Sequence, residues 1–120
     1  MTDQNTTNST AIACNVMAID AAHREQHGIT TRELFTAVQD VEELPTGYTF
    51  RLPEAMLIKG AEFIAYERLC CPFFNFSLDV EPDRGPIWLR LTGSTEIKQL
   101  MQVEFRSLLN ERLVHKMGLS

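Results

Sequence analysis

Two patterns of alternating residues constrain the fold more than any other feature of this chain. Apolar and polar residues alternate through 74–80 and again through 87–92, and a turn rich in Pro and Gly at 82–86 separates the two runs. Alternation with a period of two is typical of strands that bury one face, and the turn joins them as a β-hairpin. A second hairpin is predicted over 41–52. The chain is therefore predicted to contain a four-stranded antiparallel sheet.

Apolar residues recur at helical spacing in three segments that surround these hairpins. The first helical segment is predicted to begin after Asp20, to break at Gly28, and to resume at a capping box formed by Thr30 and Glu33 until about Gln39. The second runs from Pro53 to Cys71, and the third begins near Ser94. The order helix, hairpin, helix, hairpin, helix predicts a two-layer α+β sandwich, with the helices packed on one face of the sheet.

The length of 120 residues and the hydrophobic content of 44% suit one domain with one core. We expect residues 1–10, which are polar and rich in Asn and Thr, to form a disordered N-terminal tail. The single α+β domain is predicted over 11–114, and a C-terminal tail over 115–120.

The charge balance and the lack of long apolar runs limit the partners that we expect. The chain has 11 basic and 16 acidic residues, a net charge of −5, and no basic run, which argues against nucleic-acid binding. No apolar run is long enough to span a bilayer, and the first residues do not resemble a signal peptide. We therefore expect no membrane partner, a cytoplasmic location and reduced cysteines.

The candidate functional site is a vicinal cysteine pair at the end of the second helix. Cys70 and Cys71 follow Glu67 by three and four positions, so the three side chains can share one helix face. Reduced thiolates bind soft metals and trivalent arsenic, and two neighbouring sulfurs favour chelation. Cys14 completes a three-sulfur site if the fold brings it near. The predicted metal ligands are thus Cys70, Cys71, Cys14 and Glu67, and the possible cofactor is a thiophilic metal or metalloid ion.

Other interpretations of the cysteines remain open from the sequence. Free cysteine is among the most buried residue types and often only packs in the core. A thiol redox enzyme would need a depressed thiol pKa, but a helix C-terminus raises it, and only Arg68 offers an offset. The favoured function is a thiol-centred, more likely non-enzymatic, ion-binding protein. The alternative is a non-enzymatic homodimeric interaction module whose cysteines are structural.

Two further groups of residues are candidate sites. Arg51, Trp88 and Arg90 are predicted on the open face of the sheet, where an exposed Trp between two Arg could anchor a homodimer or a small anion. His23 and His27 have the i, i+4 spacing of a metal site, but their polar helix favours an ordinary solvated face.

Three motifs resemble those of a family of small bacterial proteins of uncharacterised activity. They are Leu-Pro-x-Gly-Tyr at 44–48, Glu-Arg-x-Cys-Cys-Pro-Phe at 67–73 and Gly-Pro-x-Trp-Leu-x-Leu-Thr-Gly at 85–93. An Ala-Cys element, here Ala13-Cys14, belongs to the same resemblance. The resemblance covers most of the chain after residue 10 and implies no catalytic residue, because it brings no established activity.

Overall fold

Two antiparallel hairpins form a four-stranded sheet in the structure, a computed structural model that describes residues 13–119. The predicted α+β class with its antiparallel sheet is confirmed. The helices are α1 (Ala21–Thr36), α2 (Leu57–Cys70), α3 (Thr95–Phe105) and α4 (Glu111–Lys116). The strands are β1 (Asp40–Leu44), β2 (Gly47–Leu52), β3 (Asn75–Val80) and β4 (Ile87–Thr92). Short 3-10 turns lie at Val16–Ala18, Glu54–Met56 and Arg106–Leu108.

The sheet has the strand order β1-β2-β4-β3, so each hairpin contributes one central strand and one edge strand. β2 and β4 pair with Phe50 opposite Leu89, and β3 pairs with β4 with Leu78 opposite the same Leu89. This register brings the apolar residues of the strands onto one face, as the alternation predicts.

The core lies between that face and the helices. Phe35 of α1 stacks on Phe105 of α3 with ring centroids 4.7 Å apart, and it meets Phe50 of β2 edge-on at 5.1 Å. Phe76, on the edge strand β3, is only partly buried, because no strand covers its outer side. The residues with almost no exposed surface include Ile19, Leu34, Phe35, Tyr48, Phe50, Leu52, Phe63, Ile87, Leu89, Leu91, Met101 and Phe105.

The first helix differs from the prediction, because it does not break at Gly28. α1 runs without interruption from Ala21 to Thr36. A glycine inside a helix costs about 1 kcal/mol relative to alanine. Burial of Leu34 and Phe35 on the same helix offsets that cost, so tertiary packing overrides the local stop signal.

The core also extends beyond residue 114, where the sequence analysis ends the domain. Met117 is fully buried, and its carbonyl accepts a hydrogen bond of 2.8 Å from the Tyr48 hydroxyl. That hydroxyl in turn accepts a hydrogen bond from Gln102 Nε2 at 2.9 Å. Met117, which lies in the predicted C-terminal tail, therefore packs on the core and supplies the acceptor that the buried Tyr48 hydroxyl needs. The tail predicted for residues 1–10 lies outside the described residues.

Across residues 13–119, no helix combines the length and the apolar character needed to cross a bilayer.

Candidate functional site

The three cysteines meet at the C-terminal end of α2. Cys70 closes the helix, Cys71 follows it, and Cys14 arrives from the segment that precedes α1. The backbone N–H of Asn15 donates to the Cys70 carbonyl at 2.9 Å, which fixes that segment against the helix end. The three Sγ atoms all lie within 4.8 Å of one another. The structure thus brings together the three thiols of the predicted site, including Cys14, whose position the sequence left open.

The helix end explains how two adjacent residues can direct their sulfurs to one place. α2 ends at Cys70, and Cys71 leaves helical geometry with φ −125° and ψ 72°. Pro72 disfavours the helical region for the residue before it, as predicted. The resulting bend places Cys71 Sγ 3.8 Å from Cys70 Sγ. In an uninterrupted helix, neighbouring side chains diverge by about 100°.

Cys14 and Cys71 form a disulfide in this structure, and Cys70 carries the remaining free thiol. The expectation that all the cysteines are reduced is therefore wrong for the state described here. The bond joins residues separated by 57 positions in sequence, so the tertiary fold creates the pairing. It does not use the vicinal pair, which agrees with the strain expected of a bond between adjacent cysteines.

Glu67 lies beside the sulfurs and contacts Cys71 Sγ through one carboxylate oxygen. Its Oε2 is 3.4 Å from Cys71 Sγ, a distance at which a reduced Cys71 can donate its S–H proton to the carboxylate. Glu67 is only 6% exposed. A carboxylate this buried requires a polar partner.

His27 supplies that partner, although the predicted site does not include it. Its Nε2 donates to Glu67 Oε1 at 2.8 Å, and both side chains are buried. The assignment of His27 to a solvated helix face is therefore wrong. The signal was present in the sequence, because His27, Thr30 and Leu34 follow the i, i+3, i+7 spacing of a buried helix face. His23, in contrast, is exposed and hydrogen-bonds to Asp20 at 2.7 Å.

The second ring nitrogen of His27 has no hydrogen-bond partner among residues 13–119. Nδ1 is buried and makes no hydrogen bond to any residue that the structure describes. Buried polar atoms without partners are rare in folded proteins and cluster where a ligand, a proton or a water completes the site. His27 and Glu67 thus form a polar pair whose hydrogen-bonding capacity is not filled by residues 13–119.

Burial and nearby carboxylates control the ionisation of Cys70. Removal from water, followed by the charges of Glu67 and Glu104, raises the pKa of the Cys70 thiol to about 11. Desolvation and the Glu67 charge also raise the pKa of Glu104. The direction for Cys70 agrees with the prediction, although the causes are burial and carboxylates more than the helix dipole. At neutral pH Cys70 is therefore a protonated thiol and a poor nucleophile.

The site opens into a cleft of about 360 Å³. Cys14, Cys70, Arg32 and Glu104 are among the residues that line it. Leu108 contributes an apolar wall. The cleft is large enough to admit an ion with its hydration shell or a small thiol, so Cys14 and Cys70, which line it, are within reach of solutes.

The other predicted group lies on the face of the sheet away from the helices. Arg51 stands opposite Trp88 in the β2–β4 register, and Arg90 is two positions further along β4. The Trp88 indole N–H donates to Glu81 at 2.7 Å. Arg90 donates to the Ser77 hydroxyl at 3.1 Å. The three predicted residues therefore share one face, and neighbouring side chains of the same hairpin satisfy Trp88 and Arg90.

No protein-family model matches this chain, and no curated protein or solved structure matches it either. The resemblance to the bacterial family consequently rests on the quoted motifs alone.

Proposed function

We propose that the protein binds a thiophilic metal or metalloid ion through Cys14, Cys70 and Cys71 when these cysteines are reduced. The observation that carries the proposal is the convergence of the three sulfurs within 4.8 Å. Burial alone would not require it, because cysteines that only pack can lie anywhere in a core.

The spacing of the sulfurs supports coordination of one ion. A zinc ion bound at 2.3 Å by two thiolates in tetrahedral geometry holds the sulfurs about 3.8 Å apart. Cys70 and Cys71 already have a separation of 3.8 Å between their sulfurs. The third sulfur needs only a small movement once its disulfide is reduced, because all three lie within 4.8 Å.

The charge of the site favours a cation over a nucleophilic function. Glu67 and Glu104 disfavour a thiolate at Cys70, as its raised pKa shows. An incoming soft cation reverses this effect, because it neutralises the carboxylates and displaces the thiol protons. A redox enzyme that depends on a reactive Cys70 thiolate would be hindered by the same charges.

Glu67 and His27 have a supporting role in this proposal. Glu67 can accept a proton or offer an oxygen ligand. His27 orients the Glu67 carboxylate through its hydrogen bond to Oε1. Partners of this kind, which hold a ligand in place, commonly affect affinity 10- to 100-fold, a rough general range. Because bound thiols lose their protons, binding should weaken below neutral pH.

Native mass spectrometry of the reduced protein tests the proposal, with zinc, copper(I) and arsenite added in separate samples. We expect wild type to retain one ion of at least one kind. The double variant Cys70→Ser, Cys71→Ser should retain none while keeping its circular dichroism spectrum. His23→Gln is the matched control, since His23 is an exposed polar residue of α1 outside the sulfur cluster. If wild type binds none of the ions, or the double variant binds equally well, the ion-binding function is excluded and the cysteines are structural.

A second candidate function has its own observation. The open sheet face presents a half-buried Trp88 beside Arg51 and Arg90, a composition suited to contact with a second copy of the chain. On this alternative the protein is a non-enzymatic homodimeric module. Sedimentation of wild type and Trp88→Ala distinguishes the cases. A dimer that the substitution dissociates supports the module, and a wild type that is monomeric at tens of micromolar removes it.

A further inference from the structure

The disulfide and the proposed ion site use the same atoms. Cys14 and Cys71 are bonded to each other, and both are needed for a three-sulfur ligand set. A sulfur within a disulfide has no thiolate to give to a metal, since thiolates are the binding form. The bonded state and the ion-bound state therefore exclude each other.

The sulfurs also differ in their access to solutes. Cys14 is half-buried and lines the open cleft, whereas Cys71 is fully buried. An external thiol entering the cleft can reach the Cys14 side of the bond first. Cys71 is then the leaving sulfur, and Glu67 Oε2 lies 3.4 Å away to accept its hydrogen bond once it carries a proton.

From this arrangement we propose that thiol oxidation gates the ion site: formation of the Cys14–Cys71 disulfide expels the ion, and reduction of that bond restores the site. This inference rests on the proposed function and adds its regulation. Cys70 is outside the disulfide in this structure and is not part of the gate; it is a free thiol in the oxidised state and a ligand in the ion-bound state.

The chemistry balances with hydrogen peroxide as the oxidant. The Cys14 and Cys71 thiolates together lose two electrons and form one S–S bond, while peroxide gains those electrons with two protons and becomes two water molecules. The ion leaves with its oxidation state unchanged. In the reverse direction, one thiol of a dithiol attacks Cys14 and displaces Cys71, which takes a proton. The second thiol of the dithiol then displaces Cys14 and closes its own disulfide.

The experiment uses reduced full-length protein loaded with zinc, and a chromogenic chelator reports free ion. We expect hydrogen peroxide to release one zinc ion for each disulfide formed, and peptide mapping should identify Cys14 joined to Cys71. Dithiothreitol followed by fresh zinc should restore binding. Failure of the reduced protein to bind zinc, copper(I) or arsenite would overturn the proposed function. Binding that persists after the disulfide has formed would overturn only the gate.

Two single variants separate the gate from ordinary damage to the site. Cys70→Ser keeps the gating pair, so it should bind more weakly and still release its ion with peroxide. Cys14→Ser keeps Cys70 and Cys71 as ligands, so its ion should resist the same peroxide dose. Equal release from both variants would contradict the gate. If Cys14→Ser fails to fold, peptide mapping of oxidised wild type decides, because a disulfide that includes Cys70 would overturn the proposal.

Discussion

The thiol end of the molecule and the open face of the sheet satisfy their polar groups in different ways. On the open face, Trp88 and Arg90 bond to Glu81 and Ser77 within one exposed hairpin. At the thiol end, His27 meets Glu67 across 40 positions of sequence, in a buried environment. The stronger candidate site is therefore the thiol end. There, side chains from distant segments converge although burial of a carboxylate is costly. A half-buried Trp88 beside two exposed arginines, Arg51 and Arg90, needs no ligand to explain it.

The largest expected effect concerns the covalent link at the thiol end. Reduction of the Cys14–Cys71 bond, which spans 57 positions, should lower the free energy of unfolding by about 4 kcal/mol on the chain-entropy account. Urea unfolding with and without dithiothreitol, in the presence of a chelator, measures this difference. Cys14→Ser is the control and should not respond to the reductant. Identical wild-type curves in the two conditions would show that the bond does not stabilise the fold.

The next largest effect should come from the buried carboxylate. Glu67→Ala removes the partner of His27 and should cost about 3 kcal/mol, because it breaks a buried polar pair. Glu62→Ala on the same helix is the matched control, since Glu62 is exposed. Thermal and urea unfolding of both variants provide the measurement. A cost for Glu67→Ala as small as that of the control would mean that the pair is not buried as described.

The alkaline side of the stability profile tests the electrostatics of Cys70. Its pKa is raised from 9.0 to about 11 in the folded protein, so between these values the folded state holds a proton that the unfolded chain has lost. The contribution of Cys70 to the free energy of unfolding is therefore fully present below about pH 9, and it is lost as the pH rises towards 11. The stability difference between wild type and Cys70→Ala should shift against wild type over that interval. A difference independent of pH would contradict the raised pKa.

The smallest effect is expected on the open face. Glu81→Ala removes the acceptor of the Trp88 indole N–H, but water can replace it because Glu81 is exposed. We expect a change in unfolding free energy below about 0.5 kcal/mol. Urea unfolding measures it, and a loss above about 1 kcal/mol would show that the two regions do not differ in the way stated.

The sequence predicts the parts of the molecule that depend on local patterns. The alternation in 74–80 and 87–92 predicts the β3–β4 hairpin, because strand side chains repeat every two residues. The spacing of Glu67, Cys70 and Cys71 predicts their grouping because the residues lie within one helix turn. Local patterns therefore predict the sheet, most of the helices, and the grouping of Glu67, Cys70 and Cys71 within the candidate site.

The remainder depends on contacts that no local pattern encodes. The Cys14–Cys71 bond and the His27–Glu67 pair join positions 57 and 40 residues apart. Gly28 is a correct local stop signal that loses to the burial of Leu34 in the intact helix. In each case the deciding contact joins elements that are distant in sequence, and local patterns do not encode such contacts.

The acidic edge of the sheet has a consequence for how copies of this chain can meet. β1 is an edge strand, and Glu42 and Glu43 on it are exposed. If two such edges paired antiparallel about Glu42, that carboxylate would face its own copy across the new ladder, and like charges in that position repel. Growth of the sheet into a continuous ribbon through β1 is thereby discouraged, so copies of the chain that associate are expected to leave this edge unpaired.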